Sequence, residues 1–467
     1  MTPPRRRLGL TVTAAIVVAN MIGAGVFTST GLQAAGMHDP KTILVCWIVG
    51  GVIALCGATC YAELGSMLPR AGGEYVYLRE AYHPAVGFMS GVASLTAGFS
   101  APIAAAGITF ASYLGKIVPQ LDGHTKIIAI VLILAVTAMH MFDSKVGGRI
   151  QAGLTIGKVI LIFGFIVIGL LSGNGHWSNL NSVHGGLSNV GTGSFAISLM
   201  YVGYSYLGWN SAAYIANEVE KPERTIPRAL LLGTLVVMAL YLLLNMVFLY
   251  AVPVDTLAGN VDGAKGPIME VGDTAARVLF GHRAGAIVSS VIALALVSSV
   301  SAMIMAGPRV YAAMATDRAL PSILAHHNKN GVPMNAVVIQ GVLAIAFVLV
   351  GDLAWLLQFV GFTLAIFAAL AVSAVFILRG RGLTSRYKTW GYPITPAIFI
   401  AMSAWVTYNG VKANPRNAAI GAAALGAAAI VYYFFMRNRE PLPDESLPEG
   451  MSTGPVLKIP IAEIERD

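Results

Sequence analysis

Long apolar runs alternate with short polar connections along this chain, and the runs have the length that a bilayer demands. A hydrocarbon core takes about 20 apolar residues per helix. Such runs fall near residues 9–35, 42–65, 85–115, 126–142, 151–172, 194–217, 229–251, 284–315, 335–350, 353–379, 393–410 and 417–436. The pattern predicts an all-α polytopic membrane protein with about 12 transmembrane helices. Arg5, Arg6 and Arg7 precede the first run, as they would in a signal peptide. The length of that run and the many later spans predict an uncleaved first helix instead.

Two runs are interrupted. The first carries Ala19-Asn20-Met21-Ile22-Gly23-Ala24-Gly25-Val26-Phe27, a polar amide and two glycines where bulk is usual. Glycine costs about 1 kcal/mol relative to alanine in a helix interior, so the pair flanking Ala24 favours a local break. Non-helical backbone at membrane depth persists only where protein or a water-filled cavity covers it. Taken alone, the stretch fits a substrate site and a small-residue packing patch equally well. The sixth run repeats the feature in Ser198-Leu199-Met200-Tyr201-Val202-Gly203-Tyr204-Ser205-Tyr206-Leu207-Gly208-Trp209-Asn210. It lies five helices later and enters from the opposite side. Paired Gly-interrupted spans in corresponding positions of two halves point to a transporter binding site. The halves would be residues 9–172 and 194–379, followed by two further helices over 393–436.

Composition narrows the class. Apolar residues make up 56% of the chain and charged ones 11%, against about 25% charged in soluble proteins. The net charge of +8 does not indicate a nucleic-acid partner, because the basic residues sit in short loops rather than on one patch. Their bias towards alternate loops predicts that both termini are cytoplasmic, with the protein in the cell membrane. Residues 1–8 form a short N-terminal segment and 437–467 a flexible cytoplasmic tail. Cys46, Cys56 and Cys60 all fall in the second run, which suits buried reduced thiols. No Cys/His spacing for a metal occurs, and no cofactor is expected.

Charge inside the spans is sparse. Lys158 lies nine residues past Arg149, which at 1.5 Å per residue is roughly 14 Å deep. A charge at that depth costs at least about 2.5 kcal/mol. Either carbonyls satisfy it for structure alone, or its ammonium tethers unwound carbonyls of the first run where a coupling cation would sit. Glu63, Arg309 and Asp317 fall at cytoplasmic helix ends and suit interfacial ion pairs. Glu218, Glu220, Glu223, Arg224 and Arg228 form a mixed-charge loop after the sixth run. A membrane enzyme would need a clustered His, Asp or Glu site at one interface. A channel would need polar rings along a pore. The chain offers neither pattern.

Four motifs resemble the amino acid–polyamine–organocation superfamily, and in particular its L-amino-acid transporter branch. Asn20-Met21-Ile22-Gly23-Ala24-Gly25-Val26-Phe27 is similar to the helix 1 signature. Cys60-Tyr61-Ala62-Glu63-Leu64-Gly65, continuing through Pro69-Arg70-Ala71-Gly72-Gly73-Glu74-Tyr75, resembles the segment after helix 2. Trp209-Asn210 and Glu218 to Ala229 resemble the end of helix 6 and its loop, and Tyr387 to Pro396 the loop before helix 11. The resemblance covers about residues 9–436.

It implies a LeuT-like 5+5 inverted repeat with broken helices 1 and 6, and a secondary active amino acid transporter that is not an enzyme. Backbone amides of Ile22, Gly23, Ala24, Gly25 and Val26 would hold the substrate carboxylate, at the positive end of a half-helix. Free carbonyls of Tyr204, Ser205 and Leu207, and of Asn20 and Met21, would meet the α-ammonium, with Asn210 nearby. Tyr204 would close over the substrate, and Lys158 matches the lysine that many sodium-independent members carry. Neutral L-amino acids are the first expectation, because no acidic residue lies in either break. Exchange is favoured over proton symport, and cationic amino acids or polyamines are the alternative, with Tyr204, Tyr206 and Trp209 available as aromatics. Leu207 stands where many relatives have glycine, and Gly307-Pro308 replace a more common serine. No cysteine lies in the loop over residues 116–126, so no disulfide-linked ancillary subunit is expected.

Overall fold

Helices α1 (Leu10–Met21) and α2 (Gly25–Met37) divide the first apolar run between them, with three non-helical residues at the join. The computed structural model describes residues 8–70, 72–142, 144–181, 186–260, 266–328 and 332–436. The arginines at 5–7 and the tail over 437–467 lie outside the described residues. The chain continues through α3 (Pro40–Met67), α4 (Glu74–Ala81) and α5 (Pro84–Ala93), which passes by a π-helical stretch (Ser94–Ser100) into α6 (Ala101–Ile117). Then come α7 (Thr125–Phe142), α8 (Ser144–Leu171), α9 (Gly193–Ser205) and the short α10 (Ser211–Tyr214). The remainder is α11 (Pro222–Ala251), α12 (Val254–Ala258), α13 (Val271–Phe280), α14 (His282–Thr316), α15 (Met334–Val350), α16 (Leu353–Gly380), α17 (Ile394–Ala413) and α18 (Pro415–Val431).

Among the described residues, seven helical stretches are long and apolar enough to cross a membrane. Four shorter apolar helices, within α7, α8, α15 and α18, fall on other predicted runs. The sixth run is not one helix but α9 and α10 with a break between. The outward faces of α7 and α8 expose Ile127, Val131, Leu134, Ile156, Ile160, Phe163 and Leu171. Apolar surface on that scale belongs against hydrocarbon rather than water, as in an integral membrane protein.

The packing places both breaks at the centre. Helix α11 lies against α1 and α3, and α14 against α6 and α8. Behind the breaks, Trp47 (α3), Tyr206 and Tyr241 (α11) form an aromatic cluster with ring centroids 5.2 to 6.0 Å apart. Such pairs add about 0.5–1.5 kcal/mol each beyond area burial. One end of the bundle is tied by ion pairs. Arg379 holds Glu63 through two bonds of 2.7 Å, and Thr389 donates to the same carboxylate from its amide and hydroxyl. Asp317 meets Arg70, Arg79 and Tyr75, while Arg309 pairs with Glu218. Leu8 adds a one-residue bridge to Val219, so the residue just before α1 is pinned to the loop after α10.

Candidate functional site

The first break begins at Ile22, whose ψ of 94° leaves the helical region. Helix α2 restarts at Gly25, so its first-turn amides lack intrahelical acceptors and carry the positive end of its dipole. The second break runs from Tyr206 to Asn210, with Gly208 at φ +101°. A Cβ on Gly208 would lie 2.7 Å from the Asn20 carbonyl carbon, so glycine is required there by conformation and by space. A Cβ on Gly25 would lie 2.6 Å from Ser205 Cα. The two breaks therefore touch, Gly25 to Ser205 and Asn20 to Gly208. Ser29 Oγ sits 3.1 Å from Ser205 Oγ and joins α2 to α9 a turn further on.

Three side chains from other helices hold the broken backbone. Lys158 (α8) is 2% exposed, and its Nζ donates to the carbonyls of Ala19 at 2.6 Å and Ile22 at 2.8 Å. Ser299 (α14) lies 3.5 Å from the same Nζ and donates to Ile22 at 2.8 Å. Tyr241 Oη lies 2.6 Å from the Met21 carbonyl and 3.0 Å from the Ser205 carbonyl, so its one hydroxyl proton is shared between acceptors at the two breaks. The carbonyls of Met21 and Ser205 are thus already engaged rather than free, and the Tyr204 carbonyl accepts the Leu207 amide at 3.0 Å. Each retains a second lone pair.

The remaining residues of the predicted site divide between two cavities. One, of about 110 Å³, is apolar and lined by Gly203, Tyr204, Leu207 and Trp209 with residues of α16 and α17. The other, of about 60 Å³, is lined by Asn20, Leu207, Gly208, Asn210 and Glu74. Asn20 turns its amide to the Ile16 carbonyl of its own helix, and Asn210 donates to Glu74 at 3.0 Å. Ala24 and Val26 bury their side chains, so only their backbone is available. Neither cavity is lined by Met21 to Val26 or by Ser205, because α2 and α9 close on each other there. Gly23 differs: a Cβ on it would meet nothing nearer than 3.9 Å.

Three contributors escaped the sequence pattern. Tyr241 and Ser299 lie in long apolar helices among other polar residues, Asn245 near the one and Ser298 and Ser301 beside the other, with no spacing to single them out. Glu74 stands in a connecting segment, outside both interrupted runs. Burial raises its pKa above the usual carboxylate range, while hydrogen bonds from Tyr61 and Asn210 pull the other way.

Known proteins resemble this chain over most of its length. The family model described as amino acid permease matches residues 8–436. The serine/threonine exchanger SteT of Bacillus subtilis is 30% identical over 93% of this chain and 98% of its own. The large neutral amino acids transporter small subunit 2 of mouse is 24% identical over 92% of this chain and 81% of its own. The human b(0,+)-type amino acid transporter 1 is 28% identical over 81% and 77% respectively.

Proposed function

This chain belongs to the amino acid permease family, and from that premise we propose that it exchanges neutral L-amino acids across the cell membrane without sodium. The family and the relatives named above are transporters, not enzymes. The observation that carries the proposal is the contact between two broken spans whose carbonyls are held by Lys158 and Tyr241. Amides at the start of α2 would cradle the substrate carboxylate, and carbonyls of both breaks would take the ammonium. Recognition through backbone groups at both ends is indifferent to the side chain, which suits a set of neutral substrates.

The position of Lys158 supports sodium independence. Its ammonium already supplies a positive charge to the carbonyls of Ala19 and Ile22. The two interrupted spans would belong to inverted repeats over residues 9–172 and 194–379. Rocking of α1, α2, α9 and α10 against the remaining helices would open the site to each side in turn. The ion pairs of Glu63, Asp317 and Glu218 would then lie on the cytoplasmic side, with both termini, and the closed contact of Gly25 with Ser205 would part to admit substrate. That the SteT relative is an exchanger favours exchange over net uptake.

Counterflow in liposomes tests this. Purified protein is loaded with one unlabelled amino acid at a time and offered labelled L-leucine or L-serine outside. Exchange is expected in sodium-free buffer and without a pH gradient. A strict need for sodium, or accumulation only with a proton gradient, would overturn the proposed coupling.

A further inference from the structure

Neither interruption contains an acidic residue, yet the fold brings one to them. Glu74 opens α4, outside both broken spans, and is 3% exposed. Its Oε1 accepts hydrogen bonds from Tyr61 Oη at 2.6 Å and Asn210 Nδ2 at 3.0 Å. Among the described residues, Oε2 accepts none, and no lysine or arginine pairs with the carboxyl. An isolated buried carboxyl is costly unless it is paired or protonated. Glu74 lines the same cavity as Asn20, near the end of α1, and as Leu207 and Gly208, so that cavity opens onto the second break beside the end of α1. Phe99, Trp209 and Tyr214 complete its walls. The rings of Phe99 and Tyr214 stand 5.8 Å apart at 62°, and Trp209 packs on Tyr61, which itself bonds to Glu74. One carboxyl among aromatic faces is the chemistry that receives an organic cation.

We propose that Glu74, with Phe99, Trp209 and Tyr214, forms a subsite for the cationic head, ammonium or guanidinium, of an amino acid side chain. The subsite presupposes amino acid transport through the two breaks and extends its range to dibasic substrates. At this carboxyl a cationic side chain competes with a proton, and a neutral one does not. The ionisable groups facing Glu74 are phenols: Tyr61 from α3, Tyr77 from α4 and Tyr214 from α10. The π-helical stretch contributes Phe99, α14 contributes Met303 and Ala306, and α16 contributes Leu364 and Ala368, none of them charged. Glu74 is therefore the group on which acidification competes with a cationic substrate. Burial raises its pKa, against the hydrogen bonds from Tyr61 and Asn210. Acidification should weaken lysine and leave its neutral isostere norleucine unaffected.

The test is counterflow of L-lysine and L-norleucine by the wild-type protein, Glu74→Gln and Glu74→Asp in liposomes. The lysine-to-norleucine ratio of kcat/KM is expected to fall at least about tenfold in Glu74→Gln, and to stay within about threefold in Glu74→Asp. In the wild type the ratio should drop at least about fivefold from about pH 7.5 to about pH 5.5, and in Glu74→Gln that dependence should vanish. If Glu74→Gln does not insert, the wild-type pH series decides alone. Norleucine exchange without lysine exchange, an unchanged ratio in Glu74→Gln, or a pH-independent wild-type ratio would each overturn the subsite while leaving neutral exchange intact. Absence of any amino acid exchange would instead overturn the transport proposal, and the subsite with it.

Discussion

At the scale of single residues, Lys158 and Tyr241 differ in how visible they are in the chain. Lys158 is the only lysine deep within an apolar run, so its cost in hydrocarbon marks it from the amino-acid pattern alone. Its two carbonyl partners, Ala19 and Ile22, lie at the start of the break that the glycines announce. Tyr241 carries no such mark, because a lone tyrosine in an apolar helix is ordinary and only the fold places its hydroxyl between Met21 and Ser205. Glu74 is hidden for another reason: its segment joins two spans, and nothing local says that it folds back into the interior. Losing one buried acceptor's partner costs about 1–3 kcal/mol. Lys158→Ala is therefore expected to lose at least about tenfold in exchange rate while still reaching the membrane. Tyr241→Phe, which removes the one hydroxyl proton shared by the two carbonyls, about 1 kcal/mol, should lose about fivefold. Initial rates of counterflow, normalised to inserted protein, check both. Full exchange in Lys158→Ala would contradict its role as a tether.

At the scale of elements, the glycine pairs locate both breaks but do not say which glycine does what. Gly203 sits inside α9 with nothing around a notional Cβ, whereas Gly208 has a left-handed φ and Asn20 against it. Gly208→Ala should lower stability by about 1–3 kcal/mol and separate the two breaks. Gly203→Ala should be neutral or stabilising, since glycine within a helix costs about 1 kcal/mol. Thermal unfolding of the two variants in detergent measures the difference, and equal midpoints would refute this assignment. The π-helical stretch over Ser94–Ser100 is not legible in the chain at all. It contains no proline, the hydroxyls of Ser94, Thr96 and Ser100 do not by themselves announce a π turn, and it turns Phe99 towards Tyr214 and Tyr311.

At the scale of the whole molecule, hydrophobic length is the most transferable signal, because a bilayer enforces it on every span. Among the described residues seven stretches satisfy it outright, while the sixth run is divided between α9 and the short α10. What no run of residues could show is closure: α2 and α9 meet at Gly25 and Ser205 so tightly that neither described cavity reaches the amides of α2. That closure also changes which substitution is informative. A side chain at Gly25 would collide with the Ser205 backbone, so a defect there would not separate binding from packing. Gly23 lies in the same break with open space where its side chain would be. The central claim is that this break holds the substrate by its backbone, and equilibrium binding of a neutral L-amino acid to purified Gly23→Val tests it most directly. The account predicts a folded protein that binds at least about tenfold more weakly than wild type, about 1.4 kcal/mol. Unchanged affinity in a folded Gly23→Val would contradict it and return the stretch to a packing role.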